Sequence, residues 1–234
     1  MALRFAAQGA RVIAADLNAQ RLDEVVATIS DAGGIVVSAQ GNIANQKTAE
    51  GLIDLTVETF GRVDILCNNA GVMDYMQGIG EVSDEIWRRV IGINLDGPMF
   101  TTRRAIRHMV TQGSGSIINT ASTAGIEGGA AGVAYTVSKH GLVGLTRNTA
   151  WMYAKAGIRC NAICPGGTAT NIAETMPAER LDPGGAQRAG EYAALIPAFL
   201  KPEDIANLAL FLPSDESCHI NGAIIPADAG WTAA

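Results

Sequence analysis

The stretch that decides the fold is residues 11–40, RVIAADLNAQRLDEVVATISDAGGIVVSAQ. It begins with an apolar, β-branched run, Arg11–Asp16, which predicts a buried strand. Apolar residues at helical spacing follow from Leu22 to Ile29, and Gly33 is typical of a helix end. A second apolar run, Ile35–Gln40, predicts another strand. Such a strand–helix–strand unit indicates parallel strands joined by a crossover helix.

The remainder of the chain repeats this alternation of strand-like and helix-like segments. Further strands are predicted at 63–71, 116–122, 158–167 and 222–230, and helices at 45–60, 83–110 (bending near Gly97-Pro98), 133–156 and 202–212. The pattern predicts an α/β fold, a doubly wound, Rossmann-like parallel sheet in a three-layer α/β/α arrangement. We expect one domain over residues 1–234, with a mobile substrate loop at about 168–198, where proline and glycine interrupt the helical pattern.

Composition narrows the class of partner. The 234 residues carry a net charge of -6 and contain no basic run, so we expect no nucleic-acid partner and favour a small molecule. No stretch approaches the ~20 apolar residues of a membrane span, and no signal peptide is recognisable, which indicates a cytoplasmic protein. The four cysteines form no CxxC pair and are expected to be reduced, buried thiols. The three histidines form no metal-binding pattern, so no metal site is expected.

Polar residues that carry chemistry follow the predicted strands, where ligands of doubly wound sheets bind. Ser122 ends the strand SIINTAS, and Tyr135 and Lys139 share one face of the next helix in YTVSK. An ammonium beside a phenol lowers the phenol pKa from its usual value of about 10, which suits acid–base work. Taken alone, a Y-x-x-x-K pair is more typical of an exposed helix face. The sequences NNAG (68–71) and PGG (165–167), which accompany the pair in this chain, favour a functional site over an exposed helix face.

In combination, these motifs resemble the short-chain dehydrogenase/reductase family over essentially the whole chain. The resemblance implies hydride transfer between a nicotinamide cofactor and a small alcohol or ketone, in a homotetramer or homodimer. It makes Tyr135 the general acid–base, and Lys139 the residue that lowers its pKa and holds the nicotinamide ribose. It assigns Ser122 to the substrate oxygen, and Asn94 to a water that links Lys139 to a proton relay.

The resemblance also implies which residues bind the cofactor. Asp16, at the end of its strand, can accept hydrogen bonds from the ribose 2′-hydroxyl and repels a 2′-phosphate, which favours NAD over NADP. A helix-capping role for Asp16 remains the alternative. Asn42 stands where many relatives have an acid. The other residues assigned to the cofactor are Ile43, Asn68, Ala70, Gly71, Tyr135, Lys139, Pro165, Gly166, Thr168 and Thr170.

One family element has no counterpart in the sequence. The family holds the pyrophosphate on a glycine-rich turn roughly 20 residues before an acid such as Asp16. We therefore expect an N-terminally truncated fold, in which the turn and the first strand would precede Met1. The loop Gly125–Gly132 is a poor substitute, because the resemblance assigns it to the active-site wall. Gly78-Ile79-Gly80 lies in a segment too long and irregular for the turn.

Three functional interpretations remain from the sequence. In the first, the chain is a shortened version of an NAD-dependent alcohol dehydrogenase or ketone reductase. In the second, it is a homologue with impaired cofactor binding that acts as a binding or oligomer-partner subunit. A related dehalogenation that needs no nicotinamide is disfavoured, because Lys139, the family's ribose-binding lysine, is present.

Overall fold

Six strands, all parallel to their neighbours, carry the fold that a computed structural model describes for residues 1–233. The strands are β1 Val12–Asp16, β2 Val36–Gln40, β3 Ile65–Asn68, β4 Gly115–Thr120, β5 Ile158–Pro165 and β6 Ile224–Ala227. The helices are α1 Ala2–Ala6, α2 Ala19–Asp31, α3 Gln46–Phe60, α4 Asp84–Ile91, α5 Gly97–Gln112, α6 Val133–Tyr153, α7 Pro183–Ala193 and α8 Pro202–Phe211. Within the described residues, none of these helices combines the length and apolar character needed to cross a bilayer. The predicted Rossmann-like α/β fold is confirmed, while Ala234, the end of the predicted domain, lies outside the described residues.

Side-chain caps explain where several helices begin. Asn18 accepts a hydrogen bond from the Arg21 amide at the start of α2, and Ser83 accepts one from the Ile86 amide at the start of α4. The helix predicted over 83–110 is interrupted, because Gly92–Asp96 forms a π-helical turn between α4 and α5. This wider turn begins five residues before the predicted bend at Gly97, and it contains Asn94.

The core has two apolar layers, one on each side of the sheet. Neighbouring residues of a strand point to opposite faces, so Ile117 and Ile118 of β4 are both fully buried, in different clusters. Ile117 packs with Met109 of α5, and Ile118 packs in the cluster that contains Phe5 of α1. Helices therefore cover both faces, as the near-continuous apolar strands predict.

The parallel strands form two sheets rather than one continuous sheet. β1 pairs only with β2, whereas β3, β4, β5 and β6 form a second sheet in that order. Within residues 1–233, no strand lies between β1 and β3, and a cavity of about 700 Å³ separates them. Only Ala14 of β1 is buried, so the prediction of a buried strand at 11–16 is wrong in this respect, since one side of β1 faces the cavity.

The cysteine prediction needs a correction. All four thiols are free, and Cys160 and Cys164 of β5 are buried as expected. Cys67 of β3 is partly buried, and burial raises its pKa to about 12. Cys218 is exposed, because it lies in the surface turn after the short helix Asp215–Ser217 rather than in a strand.

Candidate active site

Tyr135 and Lys139 lie one turn apart near the start of α6, facing the carboxyl end of β4. Only 6% of Tyr135 and 3% of Lys139 is exposed, so they are not a surface pair. The Lys139 Nζ lies 5.4 Å from the centre of the Tyr135 ring and donates to the carbonyl oxygen of Thr120, at 2.9 Å. The pair is therefore a buried phenol with an ammonium beside its ring.

Burial dominates the protonation of both groups. It raises the pKa of Tyr135 to about 12; a side-chain hydrogen bond with Ser122 acts in the opposite direction, and the charge of Asp74 raises the value further. Burial lowers the pKa of Lys139 to about 8, opposed by the Cys164 thiol. Lys139 is not among the groups that shift the Tyr135 pKa, and desolvation of the phenolate raises that pKa, so the predicted lowering by Lys139 is not found for these residues by themselves.

Ser122 is placed by the chain reversal after β4. The strand ends at Thr120, two residues earlier than predicted, and Ser122 continues in an extended conformation. Its Oγ accepts a hydrogen bond from the Ala124 amide and so caps the short helix Thr123–Gly125. This cap restrains the serine side chain, which acts on the Tyr135 phenol by lowering its pKa.

Asn94 is fully buried in the π-helical turn. Its Oδ1 accepts from the Val72 amide and its Nδ2 donates to the Val72 carbonyl, both at 2.9 Å, and Nδ2 also donates to Ser138. A Cβ on Gly71 would lie 3.4 Å from Asn94 Oδ1 and 3.5 Å from Lys139 Nζ. Gly71 thus leaves a small polar recess between the two side chains, and the water-holding role of Asn94 remains a prediction.

The residues assigned to the two ends of the cofactor lie at strand ends. Asp16 is exposed at the end of β1, and its Oδ1 accepts from the Asn18 amide at 2.8 Å. Ala70 follows β3 and is exposed, and Pro165 ends β5 with Gly166 directly after it. These positions share one edge of the fold, where ligands of doubly wound sheets bind.

The Asn68 side chain points into the fold and not toward a ligand site. Its Nδ2 donates to Asn119 Oδ1 at 2.8 Å and to Thr102 Oγ1 at 3.1 Å, and its Oδ1 accepts from Thr101. The side chain joins β3 to β4 and α5 inside the fold. Any contact of Asn68 with a cofactor would therefore be made by its backbone.

The remaining assigned residues form the rim of the same edge. Asn42 Oδ1 accepts from the Ala44 amide, and Ile43 packs against Gly97 at the start of α5. Thr168 forms a bridge to the segment before α8, and Thr170 caps the short helix Asn171–Thr175. None of these positions is drawn into the core.

The residues present fit the ribose and nicotinamide ends of a dinucleotide better than its centre. Asp16 presents an exposed carboxylate, and Lys139, Ser122 and Gly71 border the recess. Within residues 1–233, no glycine-rich turn stands between a strand and a helix next to β1. The loop Gly125–Gly132 packs against α6 and the Tyr192 ring, and its role as an active-site wall remains a prediction.

The sequence did not predict two groups that lie at the site. Asp74 is a fully buried carboxylate in the loop after β3, and the Thr120 carbonyl holds Lys139. The signal for Asp74 was a single acid within the uncharged run AGVMDYMQGIG (70–80). A backbone carbonyl such as that of Thr120 leaves no signal in a sequence.

A Rossmann-like fold with this Ser–Tyr–Lys cluster defines a class of nicotinamide-dependent oxidoreductases, and sequence comparison agrees. The sequence model of the family described as Enoyl-(Acyl carrier protein) reductase matches residues 1–232. The chain therefore belongs to the short-chain dehydrogenase/reductase family, whose members transfer hydride and generally bind NAD or NADP.

Individual relatives support this membership along the chain. The 3beta-hydroxysteroid dehydrogenase 2 of Eggerthella lenta is 43% identical over 233 residues, covering 98% of this chain and 88% of the relative. The short-chain dehydrogenase/reductase cdmF of Talaromyces verruculosus is 42% identical over 202 residues, covering 83% and 79%. The crystal structure of levodione reductase superposes with a TM-score of 0.90 at 32% identity, covering 100% of this chain and 92% of that structure.

Proposed function

We propose that the protein is an NAD-dependent dehydrogenase or reductase of neutral secondary alcohols and ketones. The observation that carries the proposal is the position of buried Tyr135 and Lys139 beside the half-buried Ser122, which lowers the Tyr135 pKa, at the carboxyl end of the sheet. A bound nicotinamide would accept or supply the hydride at the substrate carbon. At the substrate oxygen, Tyr135 takes the hydroxyl proton during oxidation and returns it during reduction.

The protonation of the cluster suits carbonyl reduction at neutral pH. A Tyr135 pKa of about 12 keeps the phenol protonated and able to donate to a forming alkoxide, while Ser122 holds the same oxygen. Lys139, with a pKa of about 8, still carries most of its charge at pH 7 and stabilises negative charge near the phenol. Oxidation needs the phenolate, so its rate should rise with pH.

Two features support NAD over NADP. Asp16 places a carboxylate at the end of β1, where it would repel a 2′-phosphate. Arg21, the first basic residue after it, forms a salt bridge with Glu174 of the loop after β5 and so is already engaged. The expected result is a lower KM for NAD than for NADP, reversed or levelled by Asp16→Ala. An unchanged ratio in that variant would remove Asp16 from cofactor selection.

The substrate class follows from the walls of the site and from a relative. The loop Ile126–Gly132 is mostly small and apolar, and Met73 and Met176 line the same apolar cluster as Tyr135. Because a 43% identical relative is named as a 3beta-hydroxysteroid dehydrogenase, we propose steroid 3β-alcohols as the first substrates to test, with smaller cyclic ketones beside them.

A direct assay tests the catalytic proposal. Purified protein is mixed with NAD and the alcohol panel, or with NADH and the ketones, and nicotinamide absorbance is followed. Turnover that disappears in Tyr135→Phe supports the proposal. The absence of turnover with every substrate, despite measurable NADH binding, would refute it.

A second candidate is a homologue with impaired cofactor binding that serves as an oligomer partner. The cavity of about 700 Å³ between β1 and β3 favours it. Calorimetry with NADH separates the candidates: micromolar binding favours the enzyme, and no binding favours the partner subunit.

We also propose a cytoplasmic homodimer or homotetramer. Trp151 near the end of α6 is 83% exposed, and Met152 beside it is 62% exposed. Large apolar side chains exposed together are typical of protein–protein contacts. Light scattering measures the assembly, and Trp151→Lys is expected to shift it toward the monomer; a monomeric wild type would refute this proposal.

A further inference from the structure

Asp74 is the most unusual carboxylate of the site. It lies in the loop after β3, is 0% exposed, and has no Lys, Arg or His within salt-bridge distance among residues 1–233. A buried charge without a cation must be compensated by hydrogen bonds, since desolvation is otherwise costly. The hydrogen-bond donors to the Asp74 carboxylate therefore indicate its role.

Every hydrogen-bond partner of the Asp74 carboxylate within residues 1–233 is a backbone amide. Oδ1 accepts from Met76 and from Gly132, each at 3.1 Å, and Oδ2 accepts from the amide of Tyr135 at 2.9 Å. Gly132 is the N-cap of α6, and Tyr135 is the third residue of that helix. Asp74 thus satisfies two amides at the start of α6 from a position 61 residues earlier in the chain than Tyr135.

This arrangement replaces a local cap. The N-cap Gly132 makes no side-chain hydrogen bond, so α6 has no cap of its own. A Cβ on Gly132 would lie 2.6 and 2.7 Å from the two carboxylate oxygens, which shows how closely Asp74 approaches. The negative carboxylate also faces the positive end of a 21-residue helix. The start of α6 is therefore bound to the loop after β3.

We propose that Asp74 is a positioning residue for proton transfer, which holds the first turn of α6 so that the Tyr135 phenol meets Ser122. The inference rests on the proposed function. The Tyr135 amide donates to Asp74, which restrains the residue at its backbone, while Ser122 acts on the phenol by lowering its pKa. Small displacements of a reacting group lower rates strongly.

The charge of Asp74 adds an electrostatic effect to the geometric one. It raises the pKa of Tyr135, against the hydrogen bond from Ser122. Lys139 of α6 and Tyr75, which packs in the same apolar cluster, are also titratable residues near Tyr135. Removing the Asp74 charge should lower the Tyr135 pKa, because the phenolate then meets one negative charge fewer.

Asp74→Asn is the test variant, since it keeps the shape while losing the charge and one acceptor. The matched control is Asp204→Asn, which removes an exposed capping carboxylate from the start of α8. For Asp74→Asn we expect kcat to fall on the order of 10- to 100-fold, with NADH affinity unchanged. The rising limb of the oxidation pH profile should move to lower pH, whereas Asp204→Asn should change neither kcat nor the profile.

A purely structural role would lower the folded fraction without moving the pH profile. An unmoved pH profile together with an unchanged kcat would overturn the inference. Hydrogen exchange at the Gly132 and Tyr135 amides adds a readout that needs no activity. Faster exchange at both amides in Asp74→Asn, but not in Asp204→Asn, supports the anchor, and unchanged exchange refutes it. Absence of turnover in the wild type would instead count against the proposed function, and the exchange experiment would still decide the anchor.

Discussion

Replacing Lys139 by Met should stabilise the protein at neutral pH while removing its activity. The side chains have similar length, so the variant mainly removes the ammonium. Lys139 is 3% exposed, and its Nζ donates a hydrogen bond to the Thr120 carbonyl. No carboxylate is among the groups that raise its pKa, so the folded protein bears the desolvation of an ammonium without a counter-charge.

The size of the effect follows from the pKa. The unfolded chain binds the Lys139 proton with the ordinary pKa of 10.5, and the folded protein with a pKa of about 8. At pH 7 this difference costs the folded state about 3 kcal/mol. Loss of the hydrogen bond to Thr120 costs the variant about 1 kcal/mol. The net expectation for Lys139→Met is therefore a gain of about 2 kcal/mol in the free energy of unfolding.

The sign of the pH dependence gives the decisive check. Between about pH 8 and 10.5 the unfolded wild type binds more protons than the folded one, so wild-type stability contributed by this group rises with pH. The cost of burying the Lys139 charge falls to about 1 kcal/mol at pH 10, so the gain in the free energy of unfolding of Lys139→Met should vanish there. Urea unfolding of both proteins at pH 7 and pH 10 measures this. A variant that is less stable at pH 7, or an advantage that does not shrink at pH 10, would refute the reasoning.

Three further predictions concern single residues. Tyr135→Phe should lower kcat by at least about 100-fold with an unchanged circular dichroism spectrum, and retained turnover would place the proton transfer elsewhere. Gly157→Ala should lower the free energy of unfolding by more than about 1 kcal/mol, because φ is +75° and a Cβ would overlap the carbonyl of Gly113; unaltered urea unfolding would contradict this. Cys218 should react first with a maleimide, since it is exposed while Cys160 is buried with a pKa raised to about 12; mass spectrometry showing Cys160 labelled first would contradict the described burial.

The local elements follow from local chemistry. Helical spacing of apolar residues predicted α2, and the helix predicted from residue 83 begins with α4, which the Ser83 side chain caps by accepting from the Ile86 amide. The alternation of strands and helices sufficed for the fold class. The spacing of Tyr135 and Lys139 likewise predicted a shared helix face, because the α-helical repeat brings residues four apart together.

Burial changed the chemistry expected at that face. The sequence placed a cation beside a phenol and indicated a lowered tyrosine pKa. In the folded protein both groups are almost fully buried, so the pKa of Tyr135 rises to about 12 and that of Lys139 falls to about 8. Desolvation depends on all atoms packed around a group, which the spacing of two residues does not contain.

For this protein, the sequence by itself determined the order of strands and helices, the family, and the residues that form the Ser–Tyr–Lys cluster. Only the tertiary structure decided that the sheet is interrupted between β1 and β3, that the Asn68 side chain turns inward, and that Asp74 anchors the start of α6. The reason is physical: periodicity and caps act within a few residues, whereas strand pairing, burial and a carboxylate reaching amides 58 and 61 residues away depend on contacts that only folding creates.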